Sequence, residues 1–220
     1  MCGRFALTLP DDAMAQLFAA RPANDLPPLP NYNICPTNRV HAVWSGEGGR
    51  RLGAMRWGFL PHWYKSVTDG PLLINARAET IANKPAFARA AREGRCLVPA
   101  SGFYEWTKDD EGARWPWYIH PAQEALFAFA GIWQDWEGPD GPIRSCAIVT
   151  CAASPAIAHI HHRMPVVVAQ PDWALWLGEA GHGAAAVMRP GPGSALASHR
   201  VGREVNSNRA TGPRLVEPVG

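Results

Sequence analysis

At 220 residues, 47% hydrophobic and 18% charged, the chain has the composition of a globular protein with a sizeable core, not of a disordered one. A net charge of +2 does not by itself single out a polyanionic partner, and no apolar run reaches the roughly 18 residues that suggest a membrane span. Five cysteines, odd in number and without C-x-x-C spacing, argue against a disulfide framework or a zinc ribbon. With no charged-then-apolar leader at the start, a cytoplasmic protein is expected.

In chain order, "LPDDAMAQLFAARP" predicts a first helix, capped by Asp11 or Asp12, with Ala13, Leu17 and Phe18 at helical spacing. The Pro-rich "RPANDLPPLPNYNICPTN" reads as a surface loop. "VHAVWS" and "RRLGAMRWGF", joined by "GEGG", predict a hairpin. "LLINARAET" predicts a strand, and "NKPAFARAAREG" a helix with Pro85 in its first turn and Gly94 at its end. Strands dominate from "RCLVPASGFYEWTK" onward, through "WPWYIH", "ALFAFAGIW", "RSCAIVT" and "MPVVVAQ", with turns at "KDDEGA" and "EGPDGP". "PDWALWLGEAG" is a short late helix before a Gly/Pro-rich tail. Without an internal repeat or a clear linker, these elements predict one mixed α+β domain over residues 1–220. Its curved antiparallel β-sheets form a barrel-like core with flanking helices.

Five stretches carry side chains capable of chemistry. In "MCGRFALT", trimming of Met1 would leave Cys2 with a free amine and a thiol on one carbon skeleton. An α-amine titrates near physiological pH, so it can add to an aldehyde, and the thiol can then close a five-membered thiazolidine. Gly3 permits close backbone approach and Arg4 suits a phosphate. One dipeptide is equally a chance small residue after an initiator. In "INARAET", strand alternation puts Asn75, Arg77 and Glu79 on one face, with Ile74, Ala76 and Ala78 toward the core. The amide and guanidinium, about 7 Å apart along a strand, could clamp a sugar-phosphate, or could be an ordinary exposed face with an Arg77–Glu79 pair.

In "SGFYEWTK", Glu105 lies between Tyr104 and Trp106. Desolvation there would favour its protonated form and suit general acid–base work, unless it is a solvated edge-strand residue. "HIHHRMPVVV" brings together His159, His161 and His162, but H-x-H-H lacks the spacing and companion ligands of a metal site. One histidine acting as proton shuttle with Arg163 as an anion contact is the better functional reading. In "RWGFLPHWYKS", Trp57 and Phe59 suit core, and Trp63 and Tyr64 suit an exposed pair that stacks on bases. The 18 arginines against 3 lysines fit phosphate recognition but also a nucleotide-composition bias.

Taken in order, "MCGRFALT", "YNICPTN", "RWGFLPHW", "INARAET", "CLVPASGFYEW", "IHHRMPVVV" and "VNSN" resemble the SRAP (SOS-response-associated peptidase) family of abasic-site processing proteins. The blocks span nearly the whole chain. The resemblance implies a single SRAP-like domain that crosslinks itself through Cys2 to abasic sites in single-stranded DNA, including single-strand/double-strand junctions. It also implies autopeptidase and lyase activities, no cofactor, no metal and a monomer. It assigns Asn75 to positioning the opened sugar, Glu105 to acid–base assistance and His161 to proton handling and crosslink reversal. Arg4, Arg77 and Arg163 become phosphate contacts, and Trp63 the base-stacking residue. Cys35 stands where the family more often has alanine or another small residue, which puts a second thiol near the DNA channel. An intact Met1 would block the amine. The rival readings are an N-terminal-nucleophile glutamine amidotransferase, a cysteine peptidase acting in trans through Cys2, His161 and Asn75, and a non-catalytic single-strand binder.

Overall fold

The computed structural model describes residues 2–23, 25–191 and 193–219. Strand β1 (Phe5–Leu7) runs into helix α1 (Asp11–Leu17), which is shorter than its sequence pattern. The chain leaves the helix through Ala19, at a left-handed φ of 49°, and enters β2 (Ala20–Pro22) alongside β5. Neither aspartate caps the helix: Pro10 holds the N-cap position, and Asp11 turns instead to the buried His41, its Oδ1 2.8 Å from Nε2.

Part of the predicted Pro-rich loop is a strand, β3 (Asn31–Ile34), antiparallel to β1. The hairpin of β4 (Arg39–Gly46) and β5 (Gly49–Trp57) forms as expected, turning on Gly48 and Gly49 at φ values of 74° and 112° that favour glycine. The strand predicted over "LLINARAET" narrows to β6 (Asn75–Arg77), and the second helix to α2 (Ala88–Glu93). Pro85 therefore precedes that helix rather than sitting in its first turn. Gly94 does end it, and a Cβ there would collide with the Trp133 carbonyl.

The predicted stretch 95–108 divides at Ser101 into β7 (Arg95–Ala100) and β8 (Gly102–Lys108), which belong to different sheets. The Ser101 hydroxyl accepts from the Thr8 backbone N–H at 2.9 Å, pinning the crossover. β9 (Arg114–Pro121), β10 (Phe127–Gly138), β11 (Gly141–Ala152) and β12 (Arg163–Pro165) follow. Helix α3 (Trp173–Leu177) and β13 (Leu196–Arg200), a strand within the Gly/Pro-rich tail, complete the elements.

One sheet has the order β13-β9-β8-β1-β3, and the other β12-β11-β10-β7-β4-β5-β2, with β6 added beside β11. β5 also pairs parallel to β11, through Ser145↔Arg56 and Cys146↔Trp57. That pairing joins β11, β10, β7, β4 and β5 into a closed five-stranded ring. The expected α+β architecture with a barrel-like core is thus present, but parallel pairs close it. Phe5, Trp57, Phe103 and Phe129 fill the space between the layers in edge-on contacts, with Phe5 and Trp57 centroids 5.1 Å apart. Trp57 and Phe59 are both core residues. The Trp57 indole N–H donates to the Ile74 carbonyl at 3.0 Å, which anchors β6 against the core. Among the described residues no helix is long and apolar enough to cross a membrane.

The burial of His41 makes stability pH-dependent. Burial holds the His41 pKa below 6.5, and Asp11 only partly opposes it. The unfolded chain binds the proton more readily, so this contribution is full above the ordinary histidine value. It is lost as pH falls through the depressed one. Melting temperatures measured from about pH 7.5 to 5 should fall more steeply for wild type than for His41→Gln, which cannot titrate; parallel curves would exclude the effect.

Candidate functional site

β1 pairs with β8 at Phe5↔Phe103, and the Tyr104 N–H then donates to the Arg4 carbonyl at 2.9 Å. Past that point the chain start leaves the sheet, and the Glu105–Lys108 half of β8 becomes an edge. A cleft of about 580 Å³ opens there, lined by Gly3, Arg4, Glu105, Trp106 and His161. Lys108 and Arg114, opposite one another across the β8–β9 hairpin, extend its basic wall, and Asn206 reaches the rim.

Glu105 is a buried carboxylate with 4% exposure. Its Oε1 lies 3.9 Å from His161 Nδ1. That nitrogen is also within hydrogen-bond distance of the Arg163 backbone, 2.9 Å from N and 3.0 Å from O, so the imidazole is held in place from its own loop. Cys2 is fully buried. Burial pushes its thiol well above the ordinary range, and the nearby Glu105 carboxylate pushes in the same direction. The thiol is therefore protonated at neutral pH. His159 turns elsewhere, its ring edge-on to Trp117 at 5.6 Å.

Asn75 is set by the parallel register of β6 on β11, opposite Ile148. Both its Nδ2 and its Oδ1 are buried without a hydrogen-bond partner among the described residues. A buried amide in that state lacks the partners its environment normally supplies, and it is ready to take a ligand's polar groups. Arg77, two residues on, is exposed. Arg163 is otherwise engaged: its guanidinium forms a two-pronged pair with Glu79 at 2.8 and 3.0 Å, and donates to the Thr150 carbonyl at 2.7 Å. Glu79 thus pairs across elements, not with Arg77. Arg4 donates to Asn33 Oδ1 at 2.7 Å and to the Val205 carbonyl at 3.0 Å. Cys35 is half-buried beside this group, its Sγ 3.4 Å from the Asn33 carbonyl, with Arg4 near enough to act on its titration.

In the loop after β5, Trp63 is 47% exposed. Tyr64 instead braces the loop, its hydroxyl donating to the Pro71 carbonyl at 3.3 Å while its ring covers Gly70. Of the pair, Trp63 is the more exposed, with its ring edge-on to those of His62 and Tyr64. The structure therefore brings Arg4, Glu105 and His161 to one cleft, while Asn75, Arg77, Arg163 and Trp63 lie outside its walls. Met1 lies outside the described residues.

Trp106, Lys108, Arg114 and Asn206 were not singled out for the site from the sequence. Trp106 lies in the "SGFYEWTK" stretch and Asn206 in "VNSN". The sequence places Lys108 at the "KDDEGA" turn and Arg114 before the predicted strand, and only the strand register sets them opposite one another. The Trp106 indole N–H donates to Asn206 Oδ1 at 2.7 Å, a pairing across 100 positions that no local pattern announces.

The SOS response associated peptidase (SRAP) family model matches residues 1–208. The chain is 33% identical to the abasic site processing protein YoqW of Bacillus subtilis over 222 residues, covering 99% of each. It is 39% identical to the abasic site processing protein YoaM of the same species over 181 residues, covering 80% of this chain and 79% of the relative. A crystal structure of a Bacteroides thetaiotaomicron protein shares the fold with a TM-score of 0.87 at 22% identity, covering 99% of this chain and 100% of that one. The chain belongs to the SOS response associated peptidase (SRAP) family.

Proposed function

We propose that the protein processes abasic sites, trapping them in single-stranded DNA as a covalent thiazolidine formed by Cys2 once Met1 has been removed. The observation that carries this reading is a cleft lined by Gly3, the residue after the buried Cys2, in which Glu105 and His161 lie 3.9 Å apart with Arg4 and Arg114 in its lining. Glu105 is near enough to Cys2 to act on its thiol. The relatives' names, abasic site processing protein, support the substrate class.

The aminothiol sets the order of steps. The Cys2 amine adds first to the aldehyde carbon of the opened abasic sugar. Water leaves, giving an imine. The sulfur then adds to the same carbon, the S–H proton passes to nitrogen, and one water is lost overall with no change of oxidation state. Glu105 and His161 take and return protons in the ring opening, the dehydration and the closure. Closure removes the imine before β-elimination can break the strand, so lyase activity is its competing fate. Arg4, Arg77 and Arg163 are assigned to phosphate, Trp63 to stacking, and Asn75 to the sugar. Arg163 can serve only by sharing or exchanging Glu79.

The high thiol pKa weighs against a peptidase acting in trans, which needs a thiolate. The test uses mature protein whose N-terminal mass shows Cys2 first. Incubated with a single strand holding one abasic site, it should give an adduct that survives denaturation, and none with the intact strand. Equal binding to both strands without an adduct would support a non-catalytic binder instead, and glutamine hydrolysis an amidotransferase.

A further inference from the structure

The face of the β8–β9–β13 sheet that carries Glu105 continues well beyond the cleft. Register places Glu105 opposite Trp117, and Trp117 opposite Arg200, in one row across three strands. At the usual strand spacing that row reaches about 10 Å from the carboxylate. One step along the hairpin, Thr107 faces Trp115.

Both indoles have their N–H groups occupied, Trp117 by Thr107 Oγ1 at 3.1 Å and Trp115 by Asp109 Oδ2 at 2.8 Å. The rings are thus fixed while their faces carry guanidinium groups. Arg200 lies 5.1 Å from the Trp115 centroid and 5.6 Å from that of Trp117, and Arg203 lies 5.1 Å from Trp115. Among the described residues neither arginine forms an ion pair, although other arginines such as Arg50, Arg144 and Arg163 do. Arg200 and Arg203 are exposed, and each indole is half-buried. Asp109 is near enough to Arg203 to feel its charge but forms no ion pair with it. Planar cations held on aromatic rings without a paired carboxylate suit a ligand that offers both anions and flat apolar faces. A strand of nucleic acid offers both at every residue.

We infer that Trp115, Trp117, Arg200 and Arg203 form a second contact track, along which the single strand runs as it leaves the cleft. The inference rests on the reading of the cleft as a site for single-stranded DNA. It predicts that arginine N–H groups meet phosphates and that bases stack on the ladder. It requires no base identity, because stacking accepts any base.

The test uses lesion-free oligothymidylate, so its outcome does not depend on adduct chemistry. Strands of about 20 and about 5 nucleotides, spanning the range of typical single-strand site sizes, are titrated by fluorescence anisotropy at several salt concentrations. Wild type should bind the long strand more tightly than the short one. The double variant Arg200→Gln/Arg203→Gln should lose about tenfold or more for the long strand. Its log K against log salt should be shallower by about 1.4, the slope of two phosphate contacts on a single strand. Trp115→Leu should lose about tenfold through stacking while keeping the wild-type salt slope. Unchanged melting temperatures and circular dichroism separate these losses from misfolding; a variant that fails this check is replaced by Arg200→Lys, which keeps the charge and should keep the salt slope while losing affinity.

The inference is overturned if the folded variants bind the long strand as wild type does, or if wild type shows no preference for length. It is also overturned if the double variant loses binding to polyglutamate but not to DNA, which would make the face a site for an acidic protein. If lesion-free strands bind with the predicted length and salt dependence while a strand holding one abasic site forms no adduct, the track stands and the thiazolidine scheme is removed.

Discussion

Cys2→Ala is expected to leave no adduct with an abasic single strand that survives denaturation, whereas wild type converts the strand to a shifted band. The alanine variant keeps an N-terminal amine once Met1 is removed, so the first bond can still form. What it lacks is the sulfur that removes the imine from equilibrium, and the imine hydrolyses when the protein unfolds. Adding borohydride to the variant reaction should therefore restore a band by reducing the C=N bond. The two results together assign the amine and the thiol to separate steps. Full adduct from Cys2→Ala without reductant would show that another group does the chemistry. The fold should tolerate the change, since it removes one small buried atom at the start of the chain.

The second large effect is expected from Glu105→Gln. The amide has the carboxylate's shape and fits a position only 4% exposed, but it cannot accept and return a proton. Loss of a positioned acid–base group lowers such rates by about 10²–10⁴-fold, so adduct formation should slow by that order while lesion-free strand still binds. A second readout tests the electrostatics directly. The Glu105 carboxylate is one cause of the raised Cys2 thiol pKa, after burial. Its removal should shift the pH profile of Cys2 alkylation toward lower pH, leaving it still above an exposed thiol because burial persists. Adduct formation at the wild-type rate would take Glu105 out of the mechanism.

How far the sequence anticipated this arrangement depends on the range of the interaction concerned. The β4–β5 hairpin, the turn at Gly138–Gly141 and the end of α2 at Gly94 are set by neighbouring residues, and their positions were readable. β3 was hidden because two of its four residues are asparagine and prolines surround it. β13 was hidden because "LASHR" has no alternation of its own and takes its form from β9. α1 was predicted too long because the helical pattern of Ala13, Leu17 and Phe18 runs on past them. A left-handed Ala19 diverts the chain there to meet β5.

The same division holds at the site. Cys2 and Glu105 could be named from their local blocks, since a terminal aminothiol and a carboxylate among aromatics are recognisable in place. Arg163 could be named but not its condition, because Glu79 lies 84 positions away. The contact of Arg200 and Arg203 with Trp115 is likewise set by β13 returning to β9.

The parallel seam between β5 and β11 has a kinetic consequence. Its two ladder pairs join residues roughly 90 positions apart, so the chain must lose much of its loop entropy before the seam gains anything. Sheets of this kind fold in about milliseconds to seconds, not microseconds. Refolding followed by tryptophan fluorescence should accordingly show a slow phase in which Trp57, the seam's own indole, becomes buried last. Until then the β5 edge is open and able to pair with another molecule. The yield of refolded protein should therefore fall as chain concentration rises.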